Sequence, residues 1–197
     1  MQIVGSLIWI QIFHPDILFA VQYLSCWFTY KPRQYHLSMA FCCIGYLFTT
    51  MDLPLVLGGT SPLSLFGWTD ASLGTGPCCR SVLGNISDLG PTSGAIQAKA
   101  TTSTSTCVSS FEAELDGFTT MLKTLLRLRH IRRELPTQSH IYSDNEALDN
   151  FINSDTPFAK GLRHVEMRQY FTRDTLLKGQ FKLEHIKGTE IPADKLT

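Results

Sequence analysis

Residues 109–125 carry an apolar repeat that leaves little choice besides a long, deeply buried helix. Phe111, Leu115, Phe118, Leu122 and Leu125 recur at alternating intervals of four and three, which lines one face of an α-helix. Ser109, with Glu112 three positions on, has the pattern of a capping box at its start. Advancing about 100° per residue puts Glu112, Asp116, Thr119 and Lys123 on the opposite, polar side, with Glu114 roughly 60° from Phe111 at the edge of the stripe. Capping accounts for Glu112. Glu114 has two readings: an edge residue that snorkels to water, or a carboxylate against a buried face whose cost a cation, hydrogen bonds or a metal ion offsets.

Two other acids follow short strand patterns. LSLFGWTD at 63–70 has the length and aromatic content of a strand ending at Asp70, and HIYS at 140–143 reads as a strand just before Asp144. Asp144 could cap the helix expected over 145–152, but Ser143 with Glu146 makes a rival capping box that would leave it free. Between these strands, Gly74, Gly76, Gly84, Gly90 and Gly94 punctuate short apolar pieces as turns between antiparallel strands do. The β-branched run 101–106 suits a strand leading into the long helix. After Pro157 a helix is expected through Leu162, Val165 and Tyr170. A strand over 180–186 follows, where Phe181, Leu183 and His185 alternate with Lys182 and Glu184. Pro192 then begins a last helix carrying Asp194. Strands interleaved with helices indicate an α/β domain.

The beginning of the chain is a different physical object. Residues 1–69 hold only four charged side chains, Asp16, Lys31, Arg33 and Asp52. Pro15 starts a helix with Ile17, Ala20, Val21 and Leu24 on one side up to the Trp27-Phe28 region. A second helix near Pro32 is expected to bury Tyr35, Met39, Cys42 or Cys43, and Tyr46. Asp16 and the His14-Pro15 pair break the apolar run below the ~18 residues of a membrane span, and no basic leader precedes it. The expectation is therefore an intracellular chain, neither secreted nor anchored in a membrane. The turn-rich segment 57–62 divides a helical region, 1–62, from an α/β region, 63–197. Six cysteines without a CxxC pair or a neighbouring histidine at ligand spacing predict no structural zinc.

Acids that converge from separate elements repel one another, and divalent metal with oxygen ligands is the simplest compensation. Two such ions about 4 Å apart can activate a water and stabilise the leaving oxygen of a phosphodiester. Formal net charge is zero, so any affinity for nucleic acid must come from a local patch. Arg127, Arg129, Arg132 and Arg133, with His130, supply a candidate at the end of the long helix, where the helix dipole alone would also favour cations.

Five motifs in order carry a family resemblance. TDAS at 69–72, SSFEAEL at 109–115, IYSDNEAL at 141–148, RHVEMRQYFTRDTLLKGQFKLEHI at 163–186 and IPADKLT at 191–197 together resemble the ribonuclease H domain of copia-type retrotransposon Pol polyproteins. VGSLIWIQIFHPDILFAVQYLS at 4–25 resembles the end of the reverse-transcriptase region that precedes it. The resemblance implies a ribonuclease H-like fold, with a mixed five-stranded sheet flanked by helices behind an N-terminal helical thumb or connection remnant. It implies cleavage of the RNA strand of RNA:DNA hybrids with two Mg²⁺ ions, or Mn²⁺, and no small-molecule cofactor. It assigns the metal site to Asp70, Glu114, Asp144 and Asp194, choosing Glu114 over Glu112 as the helix phase does. Its partners would be the hybrid and the polyprotein's reverse transcriptase. No YVDD-like polymerase motif is present. Family members continue past the last acid into a longer helix, so the domain is expected to be truncated there. His185 is the only histidine near that acid and reads mainly as a strand residue. A decayed or repurposed fragment that binds nucleic acid or a partner without turnover is the alternative.

Overall fold

The computed structural model describes residues 2–58, 64–90, 92–131, 138–153 and 163–197. Five strands form one sheet: β1 (Phe66–Ser72), β2 (Val82–Asp88), β3 (Gln97–Thr102), β4 (Ser139–Ser143) and β5 (Phe181–His185), in the spatial order β3-β2-β1-β4-β5. The first three pair antiparallel as a meander, and β4 and β5 add in parallel beside β1. The sheet is mixed, as the resemblance implied. β1 continues two residues past Asp70, so that acid sits within the strand and not at its end.

The helix α4 (Ser110–Ile131) crosses β1 at close range. A Cβ added at Gly67 would come within 2.9 Å of Leu125 and Met121, and one at Gly117 within 3.1 Å of the Thr69 hydroxyl. Small residues at both levels let helix and strand backbones approach. Leu115, Phe118, Met121, Leu122 and Leu125 form the core with Leu65, Ile141, Leu148 and Phe181. The amide of Glu112 donates to Ser109 Oγ at 3.1 Å. The Glu112 carboxylate accepts from the amide of Val108 at 2.8 Å, one residue before the expected cap.

The supposedly polar side of α4 is also buried. Asp116 accepts a hydrogen bond from Ser103 Oγ at 2.6 Å and faces Arg168 at 3.3 Å, and Thr119 meets Thr172 at 3.3 Å. Arg168 and Thr172 belong to α6 (Arg163–Leu177), which covers that side, while Lys123 is exposed. The sequence pattern shows one stripe because the second contact is made through paired polar groups rather than apolar ones. The expected helix residues Pro157 and Leu162, and the basic residues Arg132 and Arg133, lie outside the described residues.

The N-terminal region forms α1 (Gln2–Ile10), α2 (Leu18–Tyr30) and α3 (Gln34–Thr49) around a second core of Val4, Leu7, Ile17, Val21, Leu24 and Ala40. Here the expected phase of α3 is corrected. Its inward residues are His36, Ala40, Cys43 and Leu47, whereas Tyr35, Met39, Cys42 and Tyr46 face outward. With apolar side chains on nearly every face, the period does not decide which one is buried; the contacts with α2 do. Tyr46 instead donates its hydroxyl to Asp16 at 2.5 Å. A hydrogen bond of 3.0 Å from Gln22 Nε2 to Thr102 Oγ1 ties α2 to β3. No described helix is long and apolar enough to cross a membrane. The expected boundary at 57–62 lies largely outside the described residues.

Gly84 is corrected from a turn to the interior of β2. It faces the 3₁₀ turn Pro192–Leu196, and a Cβ there would lie 2.6 Å from the Ala193 carbonyl oxygen and 3.0 Å from Leu196 Cβ. Because the nearest obstacle is backbone, Gly84→Val should displace this turn and lower stability by about 1–3 kcal/mol, read as a reduced urea midpoint.

Candidate metal centre

Register places two of the acids. The parallel pairing of β1 with β4 ends at Trp68↔Tyr142. Asp70 and Asp144 each lie two residues further on, so the strands part where the acids stand. A cleft beyond the carboxyl ends of parallel strands is the usual ligand position in α/β sheets. Glu114 enters from the first turns of α4, which Gly117 seats against β1. One carboxylate oxygen from each of Asp70, Glu114 and Asp144 lies within 4.8 Å of the others. Asp70 and Glu114 are buried and Asp144 is half-buried.

Asp144 is not consumed as a helix cap. Asn145 caps α5 (Glu146–Asn153) by accepting the Leu148 amide at 3.0 Å, and Ser143 Oγ accepts the Asn145 amide at 3.3 Å. The expected box of Ser143 with Glu146 is therefore replaced by Asn145, with the same consequence for Asp144.

Burial, reinforced by the charges of Asp70 and Asp144, pushes Glu114 from 4.5 up to about 8, against a lowering contribution from the Ala71 amide. Burial also raises Asp70, assisted by Asp144 and Asp194 and opposed by the Thr197 hydroxyl that donates to Asp70 Oδ2. Glu114 Oε2 is buried with no hydrogen-bond partner. An orphaned carboxylate oxygen beside two more carboxylates fits a bound divalent cation, and an all-oxygen donor set suits Mg²⁺ or Mn²⁺.

Asp194 stands apart from this trio. It is exposed in the 3₁₀ turn, near enough for its charge to act on Asp70 but outside the three-carboxylate group. The basic cluster is similarly divided. Arg129 donates to Ser139 Oγ at 2.8 Å and lies over the Phe181 ring, so it braces α4 against the sheet, whereas Arg127 is exposed. Arg127 is also about 20 Å along the helix from Glu114. Thr197 was not singled out in the sequence, and no local signal marks it, because its contact with Asp70 spans nearly the whole α/β region.

Comparison with known proteins bears on the fold that carries this site. No protein-family model matches the chain. It is 28% identical over 200 residues to the retrovirus-related Pol polyprotein from transposon TNT 1-94 of Nicotiana tabacum, covering 98% of this chain and 15% of the polyprotein. Against the transposon Ty1-H Gag-Pol polyprotein of Saccharomyces cerevisiae it is 28% identical over 192 residues, covering 94% of the chain and 10% of the polyprotein. Its homologues are thus retrotransposon polyproteins, of which it spans a small part. Among solved structures, LC11-RNase H1 isolated from compost superposes with a TM-score of 0.53 at 13% identity, over 68% of this chain and 91% of that one.

The fold is that of ribonuclease H.

The foamy viral protease-reverse transcriptase, solved in complex with RNA/DNA hybrid, matches over 93% of this chain and 24% of its own length, with a TM-score of 0.54 and 14% identity. The ribonuclease H fold accounts for the sheet, and this second match extends over the helical region as well.

The raised Glu114 sets a pH dependence. The folded protein holds this proton up to about 8, whereas the unfolded chain releases it near 4.5. Metal-free protein should therefore lose stability as pH rises through that window, and Glu114→Gln should flatten the slope in urea unfolding curves.

Proposed function

We propose that this chain is the ribonuclease H region of a retrotransposon polyprotein and hydrolyses, endonucleolytically, the RNA strand of RNA:DNA hybrids with Mg²⁺. The convergence of Asp70, Glu114 and Asp144 within 4.8 Å is the observation that carries this reading. Those residues would hold the metal, with Asp194 as a fourth ligand brought in by its turn. Bound divalent metal supplies an activated water and stabilises the departing oxygen. Glu114 must give up its proton to solvent to serve as a ligand, and the charge of a bound cation would offset the burial that otherwise keeps that carboxyl protonated. Asp70, seated in a strand, provides a carboxylate whose position does not depend on a loop.

Support for the hybrid as substrate comes from the fold and from the hybrid-bound structures that share it. The exposed Arg127 would supply a phosphate contact away from the acids, and Arg132 and Arg133, which lie outside the described residues, are proposed to add to it. Recognition would use duplex shape and 2′-hydroxyls, with little sequence preference. Residues 1–62 are assigned to the end of the reverse-transcriptase region. The outward Tyr35, Met39, Ile44 and Phe48 on α3 would pack against the rest of it. The assigned compartment is intracellular, where such a polyprotein would work.

One observation favours a second reading, binding without turnover: the Asp194 side chain is exposed and apart from the other acids. A labelled hybrid incubated with Mg²⁺, with Mn²⁺ or with chelator decides between them. Metal-dependent shortening of the RNA strand is expected, and soluble, folded protein that yields no product selects the second reading. Asp70→Asn should reduce the cleavage rate by about 100-fold or more while leaving the far-ultraviolet circular dichroism unchanged.

A further inference from the structure

Asp144 occupies its place through the strand next door. The pairing of β4 with β5 ends at Ser143↔His185, and the Ile186 amide donates to the Ser143 carbonyl at 3.1 Å. One residue beyond the ladder, His185 Nε2 lies 3.1 Å from the main-chain carbonyl oxygen of Asp144. The imidazole thus extends the grip of β5 on the segment that carries the acid, at the point where that segment leaves the sheet.

A second contact acts on the carboxylate itself. A Cβ built on Gly188 would lie 2.6 Å from Asp144 Oδ2 and 3.6 Å from its Cγ. The backbone at Gly188 is held by hydrogen bonds from the Glu190 amide to Lys187 O at 2.8 Å and from the Ile191 amide to Gly188 O at 3.0 Å. Since the obstacle is the far end of a side chain, an added methyl would move the carboxylate and leave the backbone in place. The glycine is needed here for space.

We propose that His185 and Gly188 are positioning residues for Asp144: the imidazole fixes its peptide, and the bare glycine leaves the volume its carboxylate fills beside Asp70 and Glu114. This rests on the reading of Asp144 as a metal ligand. Hydrogen-bonded supports of ligating groups typically change metal affinity by about 10- to 100-fold when removed.

The test uses the full chain, with crystals of the metal-free variants and calorimetric titration with Mg²⁺. Gly188→Ala is expected to shift the Asp144 carboxylate away from Asp70 and Glu114 and to weaken Mg²⁺ binding by about tenfold or more. His185→Ala should also weaken binding, and His185→Gln, whose amide N–H can reach the same carbonyl, should restore it. A merely structural role would not give that rescue at equal stability toward urea. An unmoved carboxylate with unchanged Mg²⁺ affinity in Gly188→Ala, or equal loss in both His185 variants, overturns the proposal. Should Gly188→Ala fold poorly, the His185 pair decides. If the unaltered chain takes up no Mg²⁺, the metal reading fails, and the carboxylate positions in the metal-free crystals still decide the positioning role.

Discussion

Mutual repulsion of three carboxylates, two of them buried and one half-buried, is the constraint around which this molecule is arranged. Burying an ionised carboxylate without compensation is strongly unfavourable, and Asp70, Glu114 and Asp144 stand together where β1 and β4 part. With Glu114 raised to about 8, the metal-free protein relieves part of this conflict by keeping a proton at neutral pH. A divalent cation would replace that proton and satisfy the orphaned oxygen as well. The tension would otherwise drive the acids apart, so it must be resisted by the packing around them.

That resistance comes from α4 and the strand beneath it. Gly67 and Gly117 allow close contact along β1, and the side chains from Leu115 to Leu125 anchor the helix in the core. The paired Asp116, Arg168 and Ser103 hold its other side. A helix gripped on two sides cannot roll to carry Glu114 out to water. Thr197 on Asp70 and the β5 residues beside Asp144 act at the remaining corners of the cleft.

Much of the fold was legible because its periodicities are local. The stripe of α4, the strand patterns ahead of Asp70 and Asp144, and the order of elements all emerge from spacing and turn residues. Glu114 stood out because its helical phase left it near an apolar face without a local role. Elsewhere local pattern was insufficient. The outward face of α3 is as apolar as its inward face, so phase could not choose between them. Arg129 looked like part of a phosphate-binding patch, yet Ser139 on the following strand and Phe181 on a strand distant in sequence engage it. Gly84 looked like a turn because composition cannot distinguish a flexible glycine from one that makes room for a neighbouring backbone.

The amino-acid order alone determined the long helix α4, the strands ahead of Asp70 and Asp144 and β5, and which acids have no local use, since hydrogen-bonded repeats and capping act within a few residues. Tertiary structure decided which of those acids meet. Asp70 and Asp144 face one another through the register of two strands separated by the whole of α4, and Glu114 joins them through a helix crossing made close by glycines. Asp194 remains outside the trio because the position of its turn depends on how Ala193 and Leu196 seat against Gly84, a contact between segments more than a hundred residues apart that no local propensity encodes.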